Sequence, residues 1–458
     1  MAEPHGRIRP AAAVAACAIA GLLGCAGCTA GGPAASTSST GSASAPALPT
    51  RSLASPGCTD AAVGRAALSR VRTAMTPVPD GPFGVAVTPD GRWAFVADAA
   101  GVEVLRTDRS LAPVPVRTIR LPGSPEGATI SPDGRYLLVA DGSGAVVISV
   151  ARVERSTSRA VLGTLSAAPA LSGSAATTPR LARAAALMNT AAEVAVAPDG
   201  RFAIVTLEYA DEAVVFNLAR ALASGFSAAD VVGRIPLGES AAGLAVSPDG
   251  RWLYATSEVG VTAQPAAGPG SATTLSATQA AACAGTFAGE SPGTLTVVSL
   301  DRAETDPAAS VVATVDAGFQ PVRVITSADG TQVWVTARAS DDLLCFSAAR
   351  LVSSPARALV AVVRVGEAPV GLAAVHGGAL IVVADSNRYG AAGASADLDV
   401  VGVADVLNGR GAAVLGHVRS GSFPREMAAP ADRDGALLVT NNVSGQLESV
   451  DVGSLPGG

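Results

Sequence analysis

Glu193, Arg323 and Glu426 occupy the same place in three copies of one recurring phrase, six residues ahead of its turn once a two-residue expansion before Asp434 is allowed. In the other four copies that place is held by Gly84, Gly127, Gly243 and Gly371, and Glu126 and Arg425 stand beside it. If the copies surround an axis, these side chains converge on one opening of mixed sign. Convergent charges in a concavity can hold a ligand, or they can pair across the opening and satisfy one another. Glu126, Glu193, Arg323, Arg425 and Glu426 are therefore the candidate ligand-binding set.

Other chemistry is scarce. All 32 basic residues are Arg, so Schiff-base lysine chemistry and a phosphate-loop lysine are excluded. Of the three histidines, His5 lies near the N-terminus and His376 and His417 are far apart, which leaves no His-rich metal site. Neither a Gly-x-Ser-x-Gly elbow nor a phosphate-loop pattern occurs, so no catalytic residue, metal or cofactor is assigned. A net charge of −6 offers nothing to a nucleic-acid backbone.

The elements that must position the charged set follow from the repeat. Val85-Ala-Val-Thr-Pro-Asp90-Gly91-Arg-Trp-Ala-Phe-Val96 returns as Ala128-Thr-Ile-Ser-Pro-Asp133-Gly134-Arg-Tyr-Leu-Leu-Val139, then at Asp199-Gly200 and Asp249-Gly250. Weaker copies at Asp329-Gly330, His376-Gly377-Gly378 and Asp434-Gly435 bring the number to seven. Each copy is a β-hairpin closed by turn chemistry. Third strands such as Ala213–Asn217 and Leu343–Ser347 follow, then fourth strands such as Val231–Leu237 and Val311–Val315. Four antiparallel strands make one propeller blade, so the chain reads as an all-β, seven-bladed β-propeller.

Aromatics are only 3% of residues, and they fall in two columns: Trp93, Tyr136, Phe202 and Trp252, then Phe95, Tyr254 and Trp334. Same-face columns at this spacing predict packing between blades. The last copy ends after its third strand, and Leu68–Thr76 is expected to supply the missing one and close the ring. The turn aspartates are expected to bond their own backbone, and His376 to face solvent.

The propeller is assigned to residues 66–458, with insertions at 167–190 and 259–292. Thr178-Pro179 predicts a short helix within the first. These insertions and the segment from Asp385 to Tyr389 belong to loops that open on the face holding the charged column. Ahead of them, His5, Arg7 and Arg9 precede an uncharged run from Ala11 to Leu23 that meets Leu22-Leu23-Gly24-Cys25. That run rises only about 20 Å as a helix, short of a hydrocarbon core of about 30 Å. Residues 1–24 read as a signal peptide. Residues 25–65, rich in Ser, Thr, Ala and Gly, read as a tether. Among the later cysteines, Cys345 aligns with Val215 as a buried strand residue, while pairing among Cys58, Cys283 and Cys345 stays open.

Two resemblances bear on these residues. Leu22-Leu23-Gly24-Cys25 resembles the bacterial lipobox, which implies acylation of Cys25 and a place on the outer face of the cytoplasmic membrane; ordinary secretion is the alternative. The hairpin phrases over residues 66–451 resemble YVTN-type, YncE-like seven-bladed propeller repeats, related to the lactonase-type propellers. Leu438-Val-Thr-Asn441 is nearest to the family phrase, while Phe95-Val-Ala-Asp98 and Leu138-Val-Ala-Asp141 depart from it. The family implies the fold more strongly than any one activity, since it includes binding proteins and lactonase-like enzymes. The function expected is a monomeric, membrane-anchored binding or scaffold protein. Its partner would be a small molecule, a glycan or an envelope protein. The alternative is a lactonase-like hydrolase in which Arg323 polarises and Glu193 or Glu426 activates water.

Overall fold

Seven four-stranded antiparallel sheets form a ring in the computed structural model, one sheet for each copy of the hairpin phrase. The structure describes residues 66–457 apart from 108–110, 122, 157–158, 168–190, 261–290, 389–395, 410–412 and 430–434. The signal segment, tether, Cys25, Cys58, Cys283 and the helix expected after Thr178 lie outside the described residues. Among those described, no helix is long and apolar enough to cross a membrane.

The innermost strands are Val85–Val87, Ala128–Ile130, Ala191–Val196, Glu239–Val246, Pro321–Thr326, Pro369–Val375 and Pro424–Ala428. Each enters from the end bearing the charged column and leaves into the turn. At the turn, Asp90 Oδ1 accepts from the Arg92 amide at 3.1 Å and from the Thr88 hydroxyl at 2.6 Å, while Gly91 takes φ +67°. The same contacts recur at Asp133 and Asp249, which explains the Thr/Ser-Pro-Asp-Gly phrase without any ligand role. His376 departs from the expectation of a solvent-facing side chain. It takes φ +52°, and its Nε2 lies 2.8 Å from the Val452 carbonyl of the last blade.

Blades pack through the second aromatic column. Phe95 is buried against Leu137 and Val139 of the next blade, Tyr254 against Val324 and Val335, and Trp334 against Leu372 and Ile381. Cys345 is a buried thiol in the strand Asp342–Ser347, and burial pushes it up to about 12. Short helices after third strands, such as Leu218–Ser224 and Ala348–Ser353, were not legible as elements.

Neighbouring blades are also linked by one hydroxyl. Thr256 accepts from the Gly243 amide of its own blade and donates to the Val322 carbonyl of the next, both at 2.8 Å. Thr206, Thr336 and Thr440 donate likewise to Ala242, Val370 and Phe83. Thr256→Val keeps the shape and strands both backbone partners in the interior. A loss of about 2 kcal/mol in urea unfolding is expected.

The last blade pairs Thr73–Pro77 with Gln446–Asp451, with Thr73 opposite Val450. The closing strand therefore starts five residues later than the Leu68–Thr76 expectation. Residues 66–68 serve the preceding blade instead, where the Leu68 amide donates to the His417 carbonyl at 2.8 Å and the His417 amide to Ala66 at 3.0 Å.

Candidate functional site at the channel mouth

The charged column sits in β-bulges. Register shifts fall between Ala191 and Val194, Pro321 and Val324, and Pro424 and Met427, so Glu193, Arg323 and the pair Arg425-Glu426 lie in the extra residues. A bulge turns a side chain out of the alternating pleat, here toward the ring axis. In the blades between them the column must be glycine. A Cβ on Gly84 would stand 2.2 Å from the Glu126 carbonyl, and one on Gly371 would stand 2.1 Å from the Arg425 carbonyl. On Gly127 it would meet the Glu193 carboxylate at 2.5 Å.

All five predicted residues come together. Arg323, from the fifth blade, hydrogen-bonds Glu426 of the seventh through Nε, and the same nitrogen lies 3.6 Å from Glu193 Oε2 of the third. Its side chain is 8% exposed, against 13% and 12% for the two carboxylates. One guanidinium thus ties across the channel, so the pairing expected as one alternative is realised at this level. It pairs unevenly, with two buried carboxylates on one cation.

Above this tie lies a second tier. Arg425 places its guanidinium carbon 3.8 Å from the Phe83 ring centroid and 5.3 Å from that of Phe423. Its buried Nε has no hydrogen-bond partner among the described residues. Burial, then the Arg323 charge, lowers Arg425 to about 10, so it stays cationic at neutral pH. Burial raises Glu126 to about 7, against the attraction of Arg425 and with the Glu208 charge adding to the rise. Glu193 is raised by burial and by the Glu426 charge, opposed by Arg323.

Sequence reading missed a second charged column at the ends of the second strands, two residues beyond the blade-linking threonine. Glu208, Glu258 and Arg338 stand there. Arg338 donates to Glu258 at 2.7 Å and to Gln320 at 3.0 Å. Glu208 accepts from Ser240 at 3.4 Å and is raised by burial and then by the Glu258 charge. Tyr209 beside it is 60% exposed. Phe83 and Phe423 were also missed, while Arg388, in the Asp385–Tyr389 segment expected on this face, lies 5.8 Å from the Phe423 centroid. The strand-end alignment that exposes the first column also exposes the Glu208 column, whereas the aromatic contacts follow no repeat.

The raised Glu126 carboxyl predicts a pH-dependent stability. A carboxyl raised in the folded state contributes stability below the unfolded value of 4.5, and that contribution is lost as pH rises through about 7. Glu126→Gln should flatten the stability–pH curve across that window by about 1–2 kcal/mol, read from urea midpoints at successive pH values.

Among the described residues, no group of three or more His, Cys, Asp or Glu side chains is placed to hold a metal. No family model and no curated protein matches the chain. Among solved structures, a chain of Kuenenia stuttgartiensis hydrazine synthase is similar at 14% identity and a TM-score of 0.57, the match covering 82% of this chain and 97% of that one. Identity at that level speaks for a shared propeller fold alone.

Proposed function

We propose that the protein is a non-catalytic binding module whose ligand site is the charged mouth of the propeller channel. The observation that carries this is the meeting of Glu126, Glu193, Arg323, Arg425 and Glu426 from four blades, with the Arg425 Nε unpartnered among the described residues. The flanks of the segments 168–190, 261–290 and 389–395 lie at the same end of the ring, since those segments join fourth strands to first or second strands to third. A rigid ring with convergent polar groups and added loops at one end is an ordinary way to build recognition.

The lipobox at Cys25 supports export and anchoring on the outer face of the cytoplasmic membrane, with residues 25–65 as the tether. The partner is then a small molecule, a glycan or an envelope protein met outside the cell, bound by a monomer. The acidic balance argues against nucleic acid. Likeness to the YVTN-type repeat, best at Leu438–Asn441, fits this reading without naming a ligand.

The full chain, incubated with a cell-envelope extract and desalted, should retain a compound detectable by mass spectrometry. Arg425→Gln and Glu126→Gln should each cut retention at least tenfold. Retention unchanged in both variants would remove the mouth from the proposal. The elevated Glu126 favours a second reading as a lactone hydrolase, since a base titrating near neutrality can activate water. Arg323, already engaged by two carboxylates, is a poor polarising group, and absence of turnover on a lactone panel would exclude that reading.

A further inference from the structure

The charges of the mouth divide into those that are paired and those that are not. Arg323 is taken by Glu193 and Glu426, and Arg338 by Glu258. Arg425 belongs to none of these ion pairs. Arg388, exposed on the neighbouring blade, shares the Phe423 ring with it, and the Arg388 charge is near enough to lower Arg425. Glu126 and Glu208 are the counterparts of opposite sign. Among the described residues no ion pair holds either, and Glu208 accepts from the Ser240 hydroxyl at 3.4 Å.

Ring order separates the two signs. Arg388 belongs to the sixth blade, Arg425 to the seventh, Phe83 to the first, Glu126 to the second and Glu208 to the third, and successive blades adjoin, the seventh against the first. The unpaired cations therefore hold one end of an arc and the unpaired carboxyls the other, with Phe83 between them. The Arg425 charge is the largest attraction on Glu126, yet the two are not joined as an ion pair. Two cations against two carboxyls balance, so a ligand of net charge would upset the arc. A simple anion would suit Arg425 and Arg388 and meet Glu126, and a simple cation would do the reverse. A phosphate monoester brings about 1.5–2 negative charges, more than one ammonium offsets. A carboxylate matches the guanidinium fork with a single charge.

We propose that this arc binds an amino-carboxylate zwitterion, its carboxylate on Arg425 and Arg388, its ammonium on Glu126 and Glu208, and its body over the Phe83 ring. The proposal rests on the mouth being a ligand site and names the ligand class for its upper tier. Binding adds no net charge and gives each of the four unpaired groups a partner of opposite sign.

The test is calorimetric titration of the full chain with glycine, 4-aminobutyrate and 6-aminohexanoate, a series that varies the distance between the two charges. A pH of 8 lies above the raised Glu126 value of about 7 and below an alkylamine value of about 10. At least one member should bind, and its amide and N-acetyl derivatives, which each lack one charge, should bind at least tenfold more weakly. Arg425→Gln should abolish the preference over the amide, and Glu126→Gln the preference over the N-acetyl form. General damage to the fold would not produce that split. Should either variant melt early, Arg388→Gln and Glu208→Gln replace them.

Absence of binding across the series would overturn the proposal, as would equal affinity for the amide or N-acetyl form, or tighter binding of phosphoethanolamine than of every amino acid tried. Preferences unchanged in the variants would overturn it too. Failure here with envelope-extract retention still lost in Arg425→Gln would reject the zwitterion and keep the mouth. Retention indifferent to Arg425→Gln and Glu126→Gln would reject the mouth itself.

Discussion

Arg323→Met should cost the fold about 3–5 kcal/mol at neutral pH, the range found when one member of a buried ion pair is removed. Methionine fills the space of the side chain and leaves Glu193 and Glu426 facing each other across the channel with no cation between them. The measurement is the urea midpoint with its slope. The deficit should shrink as pH falls toward the unfolded carboxyl value of about 4.5, where both groups can take protons. Adding Glu193→Gln and Glu426→Gln to Arg323→Met should recover much of the loss. A deficit unchanged by that rescue would mean that Arg323 acts through packing rather than charge.

Gly371→Ala should be about as damaging, at roughly 3 kcal/mol or more, although it adds one methyl group. The new Cβ would lie 2.1 Å from the Arg425 carbonyl oxygen and 3.0 Å from its carbon, and backbone on that side cannot swing away as a flexible side chain would. Gly84→Ala places a Cβ 2.2 Å from the Glu126 carbonyl. Both obstructed carbonyls belong to residues of the upper charged tier, so each variant should displace that tier as well as lower the thermal midpoint. Gly453→Ala, whose nearest neighbour stands at 3.5 Å, is the control expected to stay within about 0.5 kcal/mol of the parent.

How much could be read beforehand depended on how local the cause was. The seven blades were legible because Thr/Ser-Pro-Asp-Gly carries its own turn contacts within five residues, as Thr88, Asp90 and Trp93 show. The aromatic columns were legible because a two-residue period fixes the face of a strand. The charged column was also legible as a column, but its pairing was not. Arg323 reaches across the axis to Glu426, 103 positions away, and no spacing rule encodes which rotamer wins. His376 was misread for the same reason, since its partner carbonyl lies 76 positions on. The closing strand was placed too early because Leu68 and Val71 look like strand residues, yet they pack against the apolar cluster between the last two blades. Apolar content marks an edge to be covered without saying which edge. The threonine link was present in Leu438-Val-Thr-Asn441 as a pattern, and only the bond from Thr440 to the Phe83 carbonyl gives it a cause.

Pairing Thr73–Pro77 with Gln446–Asp451 also sets the order in which this fold can be completed. On the ribosome the first of these strands emerges before the other six sheets and the second after them, so six sheets can be assembled while the seventh waits. Closing so long a loop adds only a slowly growing entropic cost, but it leaves a half-built arc whose first and sixth blades each have an apolar face uncovered for the duration of synthesis. Such an arc invites pairing with a neighbouring nascent chain. Tandem translation at high expression should therefore favour exchanged dimers in which each copy's leading strand completes the other's final sheet.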